Sequence, residues 1–506
     1  MKQLKSYLYT LFTVMGLVFV ACSNDDPNPL AESTGEVEIT PATLTFAADG
    51  GEGTFTVAGG VPFVRSEAEW LTVELSSSTN ISATYGVTCS ENTGTEARDG
   101  KILVNLNGAY TRLVVTQAAE EVTPPVVHDF RTAAELAKEM SPGWNLGNTL
   151  EATGGETSWQ PTQTTQEIIN YVKAQGFKSV RIPCSWDIHA TDGTIDATWM
   201  ARVKEVVDYC INAGLYVVLN DHYDGGWIEV LGFSMSADRY QKVDEATVTA
   251  KTTQLKNYWT QIANAFADYD DHLLFAGLNE PFQNYTLFNG DEKHKELTPI
   301  LNTYNQAFVE AVRATGGNNA NRTLVVQGPS TSIYSTTNAA NGFQMPTDTE
   351  TGYLMTEVHY YEPWDFCGGE DGTVCYWGKD NHHTSGNPTF GEESWIAEQF
   401  GKMKTNFVDK GYPVILGEYG ANWRDLSAVA DSDQDKHNAS IKSFFKEVNA
   451  QAINNGIIPF TWDINNTNRN GASGTMTIIN RSKLSIFCTF AMEGITEGVA
   501  AGQWPQ

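Results

Sequence analysis

Two glutamates each stand where a long apolar run breaks off. Glu280 ends LLFAGLNEP within residues 273–284, and Glu418 lies in PVILGEYG, which begins at residue 413. Two carboxyls brought to opposite sides of one sugar ring can split a glycosidic bond. One protonates the leaving oxygen and the other attacks the anomeric carbon. A separation of about 5 to 5.5 Å would give retention of configuration through a covalent glycosyl-enzyme. Taken alone, Asn279-Glu280-Pro281 reads equally well as a strand end with a solvated acid, because proline ends strands.

Further polar and aromatic residues end other apolar runs: Asn145 and Asn148 in GWNLGNT, Arg181 in SVRIPCSW, His222 after YVVLN, His359 and Tyr361 in YLMTEVHYY, and Trp462 in PFTWDI. Each has a plain structural reading. A lone histidine is usually a satisfied core group, a lone arginine an ion-pair partner and a lone tryptophan core. Gathered around two carboxyls they divide into roles. Arg181 and Tyr361 would keep Glu418 ionised by charge and hydrogen bonding. Glu280 would hold a proton to act as acid. Asn279 would hold the sugar 2-OH, Trp462 would floor the sugar being cleaved, and Asn145, His222 and His359 would complete the polar lining.

The elements that must gather these residues are eight apolar strand candidates, starting at residues 143, 179, 216, 273, 323, 353, 413 and 459. Amphipathic helices separate most of them. WMARVKEVVDYCINAG, residues 199–214, puts Met200, Val203, Val206, Val207, Cys210 and Ile211 on one face and stops at Gly214. SKLSIFCTFAMEGI is expected to close the chain as a helix. Strands this apolar need both faces covered, so the pattern predicts an α/β fold, a (β/α)8 TIM barrel over residues 129–506. Such barrels carry their sites at the C-terminal strand ends, and every strand except the fifth delivers a candidate there. The runner-up, an open doubly wound sheet, would carry a glycine-rich phosphate turn after its first strand, and none is present.

Ahead of the barrel the grammar differs. Residues 37–119 alternate in short runs such as GTFTVAG, KILVNLN and TRLVVTQ between Gly, Asn and Ser clusters, which predicts a small all-β, immunoglobulin-like sandwich. Residues 120–128 form a Pro-containing linker and 23–36 a polar tether. Residues 1–22 read as a basic start and an apolar stretch ending at Ala21-Cys22, a secretory signal too short to span a membrane comfortably.

The chain carries 32 Lys plus Arg against 61 Asp plus Glu, a formal charge of −29 that excludes polyanionic partners such as nucleic acid. Its 13 Trp, 20 Tyr and 23 Phe suit flat, partly apolar ligands such as sugars. Of these, Trp159, Trp186, Trp227, Trp364 and Trp423 lie beside the motifs as candidate sugar platforms. Cys367 and Cys375 are close enough in sequence for a disulfide in an oxidising compartment, whereas Cys184, Cys210 and Cys488 read as core. No GxSxG, HExxH or Cys/His metal spacing appears, so neither a metal nor a cofactor is expected.

Several of these segments carry resemblances. Small residues followed by Cys22 resemble a bacterial lipoprotein box, and Ser-Asn-Asp-Asp at 23–26 resembles the acidic tag of surface lipoproteins in Bacteroidetes. These imply a lipidated Cys22, an outer-membrane location facing outward, and membrane contact through that anchor alone. Trp70-Leu71, Asn92, Arg98-Asp99-Gly100 and the closing Val-Val-Thr-Gln resemble a BACON module, here read as a spacer because Trp70 reads as core.

WNLGNTLE, VRIP, the segment from Asn220 to His222, LNEP, VHYYEPWDF and ILGEYG together resemble glycoside hydrolase family 5, from about residue 130 onward. The resemblance implies that Glu280 is the acid/base and Glu418 the nucleophile. NLGNTLE and HYYEPWDF look most like subfamily 4, which implies an endo-β-1,4-glucanase acting on a β-glucan polysaccharide of cellulose, mixed-linkage or xyloglucan type; a second enzyme reading changes only the polymer, to xyloglucan or mannan, and the chain is expected to be a monomer. Tyr223 departs from that pattern, standing where many relatives have a second histidine. The competing reading from another class is a glycan-binding lipoprotein on a catalytically retired barrel, and the intact set of Glu280, Glu418, Arg181, Asn279 and Tyr361 counts against it.

Overall fold

The computed structural model describes residues 37–94, 96–119, 127–229, 245–283, 294–468 and 473–505. The expected signal, Cys22, the tether and most of the linker lie outside them. The chain divides after Pro124 into two compact units.

The first unit has eight strands: β1 Ile39–Thr40, β2 Thr43–Phe46, β3 Gly51–Ala58, β4 Phe63–Ser66, β5 Leu71–Ser78, β6 Ser82–Cys89, β7 Arg98–Leu106 and β8 Ala109–Gln117. They form two four-stranded sheets ordered β1-β3-β6-β5 and β2-β8-β7-β4. All pairs are antiparallel except β2 with β8. Alternation explains the packing: Phe55 and Val57, Ala83, Tyr85 and Val87, Ile102 and Val104, and Leu113 and Val115 all face one shared core. Trp70 packs against that core under the Arg98 guanidinium, 4.5 Å from its ring. Gly100 makes room for it, since a Cβ there would stand 2.7 Å from the indole.

The second unit is a closed, eight-stranded parallel barrel. Its strands, in order, are Gly143–Asn145, Ser179–Ile182, Tyr216–Asn220, Leu273–Ala276, Leu324–Ser332, Leu354–Tyr360, Val414–Tyr419 and Ile457–Thr461. Helices cover the outside. Ala197–Asn212 starts at Asp196, whose side chain accepts the Trp199 N–H, and buries Val203, Val206, Val207 and Cys210 before Gly214 turns the chain at φ 68°. The closing helix begins later than the sequence suggested, at Thr489–Ala501, because Ser485–Ile486 pairs with Ile479–Asn480 instead.

The lumen explains where the polar residues go. Val218, Leu274, Val325, Met355, Ile415, Ile458 and Phe460 fill its lower part, closed underneath by Ala133, Leu136 and Met140. Side chains on a strand share a face every second residue. The next lumen positions above Met355 are therefore Glu357 and His359, above Val218 they are Asn220 and His222, and above Val325 comes Gln327. Polar groups thus occupy only the upper layers.

The seventh strand needs one irregularity to join them. Val358 pairs with Leu416 but His359 pairs with Glu418, so Gly417 is skipped and the strand bulges. Without that extra residue Glu418 would alternate outward with Leu416. The bulge turns it inward beside His359. A Cβ on Gly417 would overlap the Glu357 carboxylate, so any side chain here would displace that acid from its place beside Arg181.

The six cysteines within the described residues are all free and buried, which corrects the possible Cys367–Cys375 disulfide. Cys367 belongs to the main barrel core, while Cys375 packs separately with Tyr376 and Leu426.

Candidate active site

At the C-terminal end of the barrel, Arg181 is the hub. Its Nη1 donates to Glu418 Oε1 at 3.0 Å and to Asn145 Oδ1 at 3.0 Å, and its Nη2 donates to Asn279 Oδ1 at 2.6 Å. Its Nε stands 2.8 Å from Glu357 Oε1, an ion pair without hydrogen-bond alignment. Both side chains are fully buried. Asn145 donates in turn to the Gly417 carbonyl at 2.8 Å, tying the first strand to the bulge.

His359 links the two glutamates singled out first. Its Nδ1 lies 2.8 Å from Glu280 Oε1 and 3.7 Å from Glu418 Oε2, and its Nε2 lies 3.3 Å from Glu357. Tyr361 donates its hydroxyl to Glu418 Oε2 at 3.0 Å. Glu280, His359 and Glu418 each offer one atom, and these three atoms lie within 4.8 Å of one another. That is close to the spacing of a retaining pair and well short of the roughly 6.5 to 9.5 Å an inverting pair needs for its water. His222 stacks on Trp462, ring centroids 5.9 Å apart and nearly parallel, and its Nδ1 meets the Asn220 amide at 3.3 Å. Asn148 leaves the first strand at φ 58° and gives its N–H to Glu151.

Charge decides the protonation states. Burial works against a charged His359, but Glu418, Glu280 and Glu357 outweigh it and push its pKa up to about 9. Burial also raises Glu357, yet Arg181 and His359 hold it below the usual carboxylate range. His222 is half-buried, and desolvation with the nearby Arg181 and His359 charges holds its pKa well below the ordinary value, so it stays neutral. For Glu418, burial dominates: His359 and Arg181 pull its pKa down, Glu280 pushes it up, Tyr361 pulls it down, and the result is above the ordinary value. Arg181 and Tyr361 act in the expected direction, towards the ionised form, against the larger effect of burial. Two cations, Arg181 and His359, face three carboxyls here, those of Glu280, Glu357 and Glu418.

Two members were missed in the sequence. Glu357 hides inside the apolar run YLMTEV, and Gln327 sits on the fifth strand, which had yielded no candidate. Gln327 donates to Glu357 Oε2 at 2.7 Å and accepts the Leu278 N–H at 2.8 Å, just before Asn279 and Glu280. Their signal was two polar residues inside buried strands, where an unpaired carboxyl would be costly.

The five tryptophans separate. Trp364 and Trp159 are 60% and 44% exposed, and Trp364 meets Tyr361 edge to face at 6.2 Å. Trp186 is fully buried and donates to the Asn220 carbonyl, and Trp227 is buried and donates to Asp221, so neither can carry a sugar. Trp423 is partly buried, tied to Asn438 and packed edge-on to Phe487. The insertion after Trp364 is pinned to the loop beyond the seventh strand: Arg424 donates to the carbonyls of Phe366 and Gly369, and His437 joins the Cys375 carbonyl to the Arg424 N–H.

Comparison with known proteins agrees with this geometry. Residues 145–468 match the cellulase model of glycosyl hydrolase family 5, and residues 63–118 match the BACON model. Endoglucanase A of Paenibacillus barcinonensis is 38% identical over 357 residues, covering 66% of this chain and 82% of the relative. The xyloglucan-specific endo-β-1,4-glucanase of Bacteroides ovatus is 30% identical over 483 residues, covering 89% of this chain and 90% of its own. A solved family 5 xyloglucan-specific β-1,4-glucanase from a ruminal metagenomic library is 61% identical with a TM-score of 0.69, covering 74% of this chain and 98% of that one. With the barrel, the paired carboxyls and the family match all falling on the same residues, the chain belongs to glycosyl hydrolase family 5.

Proposed function

We propose that this glycoside hydrolase, an endo-acting and retaining β-1,4-glucanase, uses Glu280 as acid/base and Glu418 as nucleophile and prefers xyloglucan as its polymer. The observation that carries the roles is the close approach of the Glu280 and Glu418 carboxyls on either side of His359. In the first step Glu280 gives its proton to the glycosidic oxygen as the bond from that oxygen to C1 breaks, and Glu418 bonds C1. In the second, water attacks C1, its proton passes to Glu280, and Glu418 leaves as the carboxylate. Asn279, fixed by Arg181, stands next to the acid where a 2-OH contact would strengthen in the transition state. Trp462, backed by His222, floors the reacting sugar.

The polymer preference is supported by the 61% identity to the ruminal xyloglucan-specific enzyme and by the Bacteroides ovatus relative, matched over most of both chains. A broader β-glucanase is the second reading, since a solved subfamily 4 endoglucanase of broad specificity from Bacteroides salanitronis is 34% identical. The experiment is reducing-end release from tamarind xyloglucan, barley mixed-linkage glucan, carboxymethylcellulose and mannan, run beside Glu418→Ala. Xyloglucan is expected to be cut fastest and every activity to vanish in the variant. Equal rates on the unbranched glucans would favour the broader enzyme, and turnover surviving in Glu418→Ala would remove it as nucleophile.

The proposal extends to location: a monomer held on the outer membrane, facing outward, by lipid on Cys22. It rests on the Ala21-Cys22 box and the acidic residues behind it. Among the described residues no helix is long and apolar enough to cross a membrane. Cys22→Ala should release the protein from the membrane fraction, and unchanged retention would refute the anchor.

A further inference from the structure

The acid/base glutamate sits on a turn whose backbone is under tension. Phe282, two residues past Glu280, has φ 64°, a left-handed conformation that a bulky residue rarely adopts. Such conformations persist only where the surroundings over-determine them, and they cluster at functional sites. The turn is held from several sides. Gln283 N–H donates to the Glu280 carbonyl at 3.1 Å, and Ser330, at the end of the fifth strand, donates its N–H to the Pro281 carbonyl at 3.0 Å. The Phe282 ring is 2% exposed and packs against Tyr304. A further hold comes from a distant loop: the N–H of Phe282 itself donates to Glu229 Oε1 at 2.9 Å.

Glu229 belongs to the loop after the third strand, just past the buried Trp227, and its own N–H is anchored on the Gly226 carbonyl at 3.1 Å. It lines the same 230 Å³ cavity as His222, Asn279 and Glu280. Burial pushes its carboxyl up to about 7, with the Phe282 N–H pulling the other way. A half-buried carboxyl lining the cavity beside the catalytic residues needs a reason to be there. None of the groups set out above for the bond-breaking steps gives it one, but the strained turn does.

We propose that Glu229 is the positioning residue for the general acid, accepting the Phe282 N–H so that the left-handed turn holds Glu280 against the glycosidic oxygen. This rests on the reading of Glu280 as acid/base. Glu229 acts through the backbone of the turn and touches no reacting atom. Losing it lets the turn relax and the Glu280 carboxyl drift from the oxygen it must protonate, while Glu418, fixed by Arg181 and Tyr361, stays in place.

The effect is separable by leaving group. Phenyl β-cellobioside needs its leaving oxygen protonated and 2,4-dinitrophenyl β-cellobioside does not. Glu229→Leu should lower kcat/KM, which reports glycosylation, by about ten- to a hundredfold for the phenyl substrate, the scale of a misplaced catalytic group, and change kcat/KM for the dinitrophenyl substrate by less than about twofold. Glu229→Gln, whose amide oxygen still accepts the N–H, should restore most of the loss. Equal loss on both substrates, or no loss on either, overturns the proposal. If Glu229→Leu fails to fold, Glu229→Gln decides: its ratio of the two rates must stay near wild type, and a ratio collapsed to that of Glu280→Ala refutes the clamp. Glu280→Ala is run beside both. If it shows the split and Glu229→Leu does not, only the clamp falls, whereas if Glu280→Ala shows no split, the acid assignment falls and the clamp with it.

Discussion

His359 Nδ1 lies 2.8 Å from Glu280 and so stands as a cation between the two carboxyls, its other side held by Glu357. Glu418 feels that charge at 3.7 Å, where it is the strongest pull towards ionisation. Replacing His359 by Asn removes the cation, leaving burial and Glu280 to raise Glu418 further. An opposite charge at this range moves a carboxyl by roughly one to three units. The acid limb of kcat/KM should therefore move to higher pH by about that much in His359→Asn. A pH profile on a soluble aryl cellobioside checks it, and an unmoved acid limb would show that His359 does not tune the nucleophile.

The same histidine links stability to pH. Its folded pKa, about 9, is above the ordinary 6.5, so protonation favours the folded state. The contribution is fully present below about pH 6.5 and is lost as pH rises through 9, and a shift of this size corresponds to roughly 3 kcal/mol. Glu151, buried and pushed up to about 7, acts with the same sign in a lower window, between its ordinary 4.5 and 7. Urea unfolding at pH 6 and pH 9.5 should show the wild type losing more stability than His359→Gln. Equal losses would place the linkage elsewhere.

How much of this was legible depended on whether a residue's role is local. Glu280, Glu418, Arg181, His222 and Trp462 end apolar runs, so alternation and strand ends led to them directly. Glu357 and Gln327 were invisible because a buried strand reads as apolar text, and a polar residue inside it shows its purpose only when a partner arrives from another strand, here Arg181. The bulge at Gly417 could not be read either, because it exists only in the register between two strands. Trp186 and Trp227 were misplaced as platforms for a related reason. Proximity to a motif along the chain does not tell which face an indole presents, and both turned inward to donate their N–H groups.

That distinction between tryptophans can be measured. Trp364 is exposed beside Tyr361, so Trp364→Ala should leave the unfolding midpoint unchanged and raise KM for polymer by roughly two- to tenfold, the scale of one lost aromatic contact. Trp186→Ala, by contrast, empties a fully buried site and should cost about 3 to 5 kcal/mol of stability. Kinetics on xyloglucan together with urea unfolding separate the two, and a Trp364 variant that lost stability instead of affinity would make it a packing residue.

The ion pair of Arg181 with Glu357 offers the sharpest test of how the site is built. Both groups are fully buried, and Glu357 also takes hydrogen bonds from His359 and Gln327. Glu357→Gln keeps the volume but removes the charge. It leaves Arg181 to neutralise Glu418 alone, and breaking one side of a buried pair costs about 3 to 5 kcal/mol. With its second carboxylate gone, Arg181 pulls harder on Glu418 and the guanidinium can swing away from Asn279, which it now fixes at 2.6 Å. The variant is thus expected to unfold at clearly lower urea and, where still folded, to lose kcat on both activated and unactivated substrates, because the nucleophile rather than the acid is disturbed. A variant that kept wild-type stability would mean that Gln327 and His359 suffice to hold the site, and that the charge on Glu357 is dispensable.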